Sequence, residues 1–236
     1  AQPDVLIVGA GVVGAACARA LAARGISVAI LEAGPQPGAA TPASAGMLAP
    51  LVEARPDDPL LSLNVRARDS YRDLAPRLLE ESGIDIGLWT EGILHVGFTE
   101  PEADRLKDVI AWQRQLGHGA EWLEAEDLRR RCPGISPAAL GAALSLEDGA
   151  LDPVALTEAF LKSAVARGAQ LTRGERGDEL IIEGHRVTAL RSGVRTLPAG
   201  AVLLAAGCWS GRIQGLPRPL SVEPVRGQMA SFAWPE

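Results

Sequence analysis

The sequence has 236 residues, of which 47% are hydrophobic, and it carries a formal net charge of −6 at pH 7. This length and composition allow one large domain or two smaller ones with a buried core. The negative charge, together with the lack of a basic cluster with interleaved aromatic residues, argues against a nucleic-acid surface.

The sequence also gives no sign of a metal site or a membrane segment. Cys17, Cys132 and Cys208 form no CxxC pair, and the three histidines lack the spacing of metal ligands. We therefore expect neither a disulfide framework nor a metal, and a reducing cytoplasm as the location. The apolar N-terminal run is not preceded by basic residues, and Arg19 interrupts its continuation, so a buried strand is predicted there rather than a signal peptide or a transmembrane segment.

A glycine triplet follows this first predicted strand. Residues 5–8 form a continuous apolar run, residues 12–23 have helical spacing, and Gly9, Gly11 and Gly14 occupy the turn between them. In dinucleotide-binding folds such glycines allow a tight turn, the approach of a pyrophosphate and close packing of helix on strand. Free N–H groups at the helix start favour the anion, and the predicted contacts there include two further residues, Val12 and Val13.

A second strand, predicted at residues 27–31, ends in the acidic residue Glu32. This carboxylate lies about 20 residues beyond the glycines, where it can accept hydrogen bonds from a ribose diol. It would repel a 2′-phosphate, and the following Ala33 and Gly34 supply no arginine, so NADP is disfavoured. NAD and FAD both remain open on these residues alone.

The next stretch, "GAATPASAGMLAP" at residues 38–50, is small, polar and rich in alanine. It resembles the loop that passes the pyrophosphate and the isoalloxazine ring in flavoproteins of the D-amino-acid oxidase superfamily, and "SAGMLAP" is most similar to the glycine oxidase branch. The resemblance implies FAD as the cofactor. It places Ala40 and Thr41 near the phosphates and lines the flavin with Ala45, Gly46 and Met47.

The later part of the chain carries further elements of the same resemblance. The run "AVLLAAGCWSG" at residues 201–211 predicts a second buried strand that ends in small residues. The resemblance places the end of this strand against the dinucleotide and makes four residues candidates, Ala205, Ala206, Gly207 and Trp209. Arg176 is the nearest match to a position on the adenine side. The acidic residues Glu147, Asp148 and Asp152 are interpreted as helix caps and solvated side chains.

The predicted fold class is α/β, with a discontinuous Rossmann-like FAD-binding domain and an inserted α+β substrate domain. Residues 1–83 and 151–215 are assigned to the FAD-binding domain. Residues 84–150 and 216–236 are assigned to the substrate domain, which we expect to be incomplete. Relatives in the resembling family continue past the end of this sequence and carry there the arginine that binds the substrate carboxylate.

The resemblance implies FAD-dependent oxidation of glycine or a related small amino acid or secondary amine, in which a hydride passes to the flavin. The imine is hydrolysed to the oxo acid, oxygen is reduced to hydrogen peroxide, and the product serves thiazole formation for thiamine. No acid or base in this chain is assigned to catalysis. A D-amino-acid dehydrogenase that uses a quinone, a sarcosine oxidase and a nucleotide-binding subunit without turnover remain alternatives. The expected partners are the amine and oxygen, with a homo-oligomer or a second completing chain left open.

Overall fold

The computed structural model describes residues 2–35 and 38–228. The strands, numbered in chain order, are β1 (Val5–Val8), β2 (Val28–Glu32), β3 (Met47–Leu48), β4 (Ile93–Gly97), β5 (Ala120–Glu124), β6 (Gly141–Ser145), β7 (Gly149–Ala150), β8 (Gln170–Arg173), β9 (Glu179–Glu183), β10 (Arg186–Ser192), β11 (Arg195–Pro198) and β12 (Ala201–Leu204). The helices are α1 (Val12–Ala22), α2 (Ala40–Ala43), α3 (Pro50–Glu53), α4 (Leu61–Ser82), α5 (Glu100–Gln115), α6 (Ala125–Arg131) and α7 (Pro153–Ala166), and a 3₁₀ helix covers Gly207–Arg212.

The first of two compact units contains a parallel sheet in the order β12-β1-β2-β8. Leu6 and Val8 of β1 pack with Leu180 and Leu190 from the antiparallel sheet β11-β10-β9. Ile7, which alternates with them along the strand, is fully buried towards the opposite face of the sheet. Helix α1 contacts β1, β2 and α7. The predicted α/β fold with a Rossmann-like sheet is therefore confirmed.

The second unit contains an antiparallel sheet in the order β4-β6-β5 and the short pair of β3 with β7. Helix α5 covers the sheet with Leu106 and Ile110, which pack against Ala120 and Ala143. Leu128 of α6 is buried in a separate cluster with other residues of this unit. The mixed α+β texture of this unit matches the expectation for the insertion.

The compact units divide the chain differently from the predicted domains. One unit comprises residues 1–45, residues 76–86 and the chain from Asp152 onwards, and the other comprises residues 46–75 and 87–151. Residues 46–75 therefore group with the insertion, because β3 pairs with β7 and the first part of α4 forms ion pairs with residues of that unit. The functional domain boundaries given above stay a prediction.

Candidate functional site

Two glycines of the triplet are required by the backbone itself. Gly9 has a φ of +103°, and a Cβ at this position would collide with the carbonyl of Ala205. A Cβ on Gly14 would collide with the carbonyl of Gly9, so only glycine lets helix α1 lie this close to the end of β1. The turn between β1 and α1 is thus fixed by close backbone packing.

Gly11 is different because its backbone angles do not require glycine, and an added Cβ would press only on the Thr41 side chain, which would have to shift slightly. Its φ of −65° and ψ of 178° are accessible to other residues, and it occupies the N-cap of α1. A Cβ would meet only the Oγ1 of Thr41, at 3.3 Å, as the nearest described atom. The missing side chain therefore leaves an opening at the N-terminus of α1, where backbone N–H groups favour an anion.

The small-residue loop lies against this helix start through Thr41. The Thr41 Oγ1 accepts a hydrogen bond of 3.2 Å from the Val12 amide. Ala40, which precedes Thr41, is the first residue of α2. The side chain of Val13, which follows Val12 in α1, is exposed. The two predicted phosphate contacts, the helix start and the loop, therefore meet in the first unit.

The carboxylate of Glu32 is held in a defined orientation at the end of β2. Its Oε2 accepts a hydrogen bond of 2.7 Å from the Ala10 amide, and its Oε1 accepts one of 2.8 Å from the Gly34 amide. Each carboxylate oxygen has a second lone pair, so the group can still accept hydrogen bonds from a ribose. Ala33 is exposed beside it.

The end of β12 lies next to the glycine turn. The Ala205 amide donates to the carbonyl of Val8 over 2.8 Å, and the Trp209 amide donates to the carbonyl of Ala206 over 3.1 Å. Gly207 is exposed with a φ of +54°. The expectation that this strand is buried is wrong for the described chain, where β12 pairs with β1 alone and is only partly buried.

Arg176 lies near the same end of the sheet. The amide of the preceding residue, Glu175, donates to the carbonyl of Glu32 over 3.0 Å. The Arg176 side chain is exposed, and its Nε donates to the Oδ1 of Asp178 over 2.8 Å. Its predicted role on the adenine side stays a prediction.

The residues expected to line the flavin fall on both sides of the division between the units. Ala45 is the last residue of the first segment, whereas Gly46 and Met47 belong to the second unit. Met47 is 50% exposed and pairs with Ala150 in the two-residue ladder of β3 with β7. The Leu151 amide extends this ladder by donating to the carbonyl of Gly46 over 3.0 Å.

The interpretation of Asp152 as a helix cap is confirmed, whereas that of Asp148 as a solvated side chain is wrong. Asp152 caps α7 by accepting from Val154 and Ala155, as predicted. Asp148 is completely buried and forms an ion pair of 2.8 Å with Arg68. Burial raises the pKa of Asp148, while the hydrogen bonds from Arg68 and two backbone amides act in the opposite direction. Sequence reasoning missed this pair, since 80 residues separate its members.

Within residues 2–35 and 38–228, no group of three or more histidine, cysteine or acidic side chains could hold a metal ion. The helices of this same part of the chain are too short or too polar to cross a bilayer. The histidine His118 is hydrogen bonded through Nδ1 to the Oε2 of Glu147 at 2.8 Å.

The parallel sheet, the glycine turn and the acidic residue at the end of β2 define a dinucleotide-binding α/β protein. Residues 4–236 match the model of the FAD-dependent oxidoreductase family DAO. The chain therefore belongs to this family, whose cofactor is FAD.

Relatives and solved structures agree with this assignment. Glycine oxidase of Geobacillus kaustophilus is 34% identical over 95% of this chain and 60% of its own length. The bifunctional protein ThiO/ThiG of Trichormus variabilis is 30% identical over 99% of this chain and 34% of its own. The crystal structure of glycine oxidase from Bacillus cereus superposes with a TM-score of 0.84 at 31% identity, covering 90% of this chain and 57% of that one. The chain thus spans about 60% of the length of the glycine oxidases that it matches.

Proposed function

We propose that this chain forms the FAD-binding part of an amine oxidase that converts glycine or a related small amino acid or secondary amine to an imine, which water hydrolyses to the oxo acid. Oxygen is the electron acceptor, and hydrogen peroxide is the second product. The observation that carries the proposal is the opening beside Gly11 at the start of α1 in a chain similar to glycine oxidases over most of its length.

The residues of the first unit suit the phosphate and ribose groups of FAD. The opening at Gly11 gives a pyrophosphate access to the amides of the first helical turn, and the Thr41 hydroxyl lies beside the same opening. Glu32, already oriented by two backbone amides, accepts hydrogen bonds from the ribose. We assign to the same site the small residues at the end of β12, Ala205, Ala206, Gly207 and Trp209, together with Ala33, Ala40 and Arg176.

The flavin ring is assigned to the segment that follows Thr41 along the chain. Six residues separate Thr41 from Met47, and a chain of that length reaches at most about 20 Å. The ribityl chain that joins the pyrophosphate to the ring in FAD is shorter than this limit, so the segment is long enough to reach from the phosphates to the ring. Ala45 and Gly46 would offer little side-chain bulk, and all three residues including Met47 would offer backbone groups to the ring. Bound FAD would accept a hydride from the amine, and oxygen would reoxidise it by taking up two electrons and two protons as hydrogen peroxide.

The substrate and the pathway are inferred from the relatives. Two of the similar proteins described above are named glycine oxidases, and a third is named ThiO/ThiG. These names support a glycine-type substrate and the thiazole branch of thiamine formation that the sequence resemblance implies. We further propose that the partners of the protein are a small amine or amino acid and oxygen, and that it is located in the cytoplasm.

The test uses the complete reading frame that contains this sequence. We expect the purified protein to be yellow, to release FAD on denaturation, and to produce peroxide with glycine, sarcosine or D-alanine in an oxygen-dependent assay. Recovery of NAD alone, or of no nucleotide after incubation with FAD, would overturn the cofactor assignment. A yellow protein that reduces a quinone but not oxygen would overturn the oxidase and favour a dehydrogenase.

A further inference from the structure

The peptide units around Leu51 are held from both sides by side chains that lie far away in the sequence. The Leu51 amide donates to the Oδ2 of Asp148 over 3.2 Å, and the Leu51 carbonyl accepts from the Nε2 of Gln113 over 2.9 Å. Asp148 is 0% exposed and Gln113 is 2% exposed. The Asp148 Oδ2 also accepts from the Val52 amide over 3.1 Å. Two buried polar side chains, Asp148 and Gln113, are therefore hydrogen bonded to one short stretch of backbone.

Both side chains are themselves held in place. The Arg68 guanidinium donates from one nitrogen to Asp148 over 2.8 Å and from another to Glu147 over 3.0 Å. The Ser145 hydroxyl donates to the Oε1 of Gln113 over 3.1 Å, which leaves the Gln113 amide nitrogen directed at Leu51. Orientations fixed in this way are typical of groups that position another part of the structure.

Capping of α3 does not by itself account for a buried carboxylate. The helix has four residues, and its N-cap residue is Ala49, whose methyl group cannot accept a hydrogen bond. A serine or aspartate at that position would cap the helix locally, without the desolvation of an ion pair. Asp148, which lies 97 positions from Leu51, accepts from the first amides of this helix instead. Asp148 therefore connects α3 to β7, the strand that begins at the next residue.

The contacts with Leu51 also hold β3, the strand that contains Met47 and ends just before α3. Only Ala49 separates β3 from α3, and β3 has just two ladder pairs with β7. A two-residue ladder is marginal on its own. The contacts of Asp148 and Gln113 with Leu51 therefore fix the C-terminal end of this segment, in addition to its ladder with β7 and the hydrogen bond from Leu151 to Gly46.

We propose that Asp148, paired with Arg68, and Gln113 are positioning residues that fix the Gly46–Met47 backbone in the conformation that lines the flavin. This inference rests on the proposed function, because it takes the assignment of Met47 to the flavin from there. Neither side chain is placed in contact with FAD or substrate. They act through the backbone of Leu51, and their loss changes the environment of the ring and the alignment of the substrate.

The test compares Asp148→Asn and Gln113→Met with the wild type in the complete, FAD-loaded protein. An asparagine at 148 presents an NH2 group either to Arg68 or to the amides of Leu51 and Val52, so one of these contacts is lost in either orientation. Methionine keeps the length of Gln113 but removes the donor to Leu51. The control is Glu81→Gln, which disrupts an ion pair in the first unit and leaves β3 untouched.

We expect both variants to shift the visible absorption and circular dichroism of bound FAD and to lower kcat about 10- to 100-fold, with a smaller change in KM for the amine. The control loses thermal stability but keeps the flavin spectrum and kcat of the wild type. Variants with unchanged flavin spectra and kcat, destabilised like the control, would overturn the inference while the proposed function stands. A wild-type protein that binds no FAD would overturn both.

Discussion

The two regions assigned to the cofactor are held in place by different physical means. In the first unit, the turn between β1 and α1 is fixed by backbone packing, since Gly9 and Gly14 leave no room for a Cβ. In the second unit, the Met47 strand is fixed by polar side chains that reach Leu51 from 62 and 97 residues away. The first region is therefore sensitive to an added methyl group, and the second to the loss of a polar atom.

The ion pairs of the two units differ in the same way. In the first unit, Glu81 of α4 binds Arg19 of α1 and Arg167 after α7, and Ser163 donates to it. These contacts join helices, of which α1 and α7 already pack together. In the second unit, the Arg68–Asp148 pair binds the backbone amides at the start of α3 rather than a second long helix. These contacts give the first network a stabilising role, and the second has the positioning role proposed above.

The largest effect is expected for Gly14→Ala. The added Cβ collides with the carbonyl of Gly9, which cannot move without disturbing the turn. We expect a loss of at least about 3 kcal/mol in the free energy of unfolding, or no folded protein at all. Urea denaturation measures this loss. A folded protein of wild-type stability would show that backbone packing does not fix the first region.

Gly11→Val should abolish FAD binding while the protein stays folded. Valine can adopt the backbone angles of Gly11, and its side chain fills the opening at the helix start. We expect at least about a 100-fold increase in the Kd for FAD, measured by flavin fluorescence, with a small change in melting temperature of the apoprotein. Ala23→Val, at the exposed far end of α1, is the control. Unchanged FAD affinity in Gly11→Val would mean that the opening is not a phosphate site.

Glu32→Ala is expected to weaken FAD binding without abolishing it. Each lost hydrogen bond from the ribose to a charged acceptor is worth about 1.5–3 kcal/mol before water compensates, so the Kd should rise about 10- to 100-fold. Glu32→Gln keeps one acceptor oxygen, so its Kd for FAD should lie between those of the wild type and of Glu32→Ala. Because Glu32 also accepts from Ala10 and Gly34, the stability of the apoprotein is measured alongside. Equal FAD affinity in all three proteins would remove Glu32 from the site.

Glu81→Gln affects stability rather than FAD binding, and its effect depends on pH and disappears in acid. The hydrogen bond from Arg19, with those from Ser163 and the charge of Arg167, lowers the pKa of Glu81 from 4.5 to about 2. The carboxylate therefore stabilises the protein above pH 4.5, and this contribution is lost as the pH falls towards 2. We expect Glu81→Gln to cost about 1–3 kcal/mol at pH 7 and progressively less in acid.

Thermal denaturation from pH 2 to pH 7 measures this difference. Asp127→Asn, which removes an exposed ion pair with Arg130, is the control and should change stability by less than about 0.5 kcal/mol. A difference between wild type and Glu81→Gln that does not vary with pH would mean that the charge of Glu81 is not what joins the helices.

The sequence by itself was sufficient for β1, α1 and β2 of the first unit and for the glycine turn between the first two. The apolar run of β1, the glycines, the second strand and the acidic end at Glu32 follow one another within about 30 residues, and local rules for strands, turns and helix starts apply to each. The Asp152 cap of α7 was predictable for the same reason. These features depend on neighbours along the chain.

What only the tertiary structure decided are the contacts between distant segments. No local pattern distinguishes the buried Asp148 from a solvated acidic residue in a turn, because its burial depends on Arg68 and Leu51 being folded against it. The grouping of residues 46–75 with the second unit likewise follows from pairings that the sequence does not encode locally. The physical reason is that local propensity acts over a few residues, whereas desolvation of a charge depends on every segment that surrounds it.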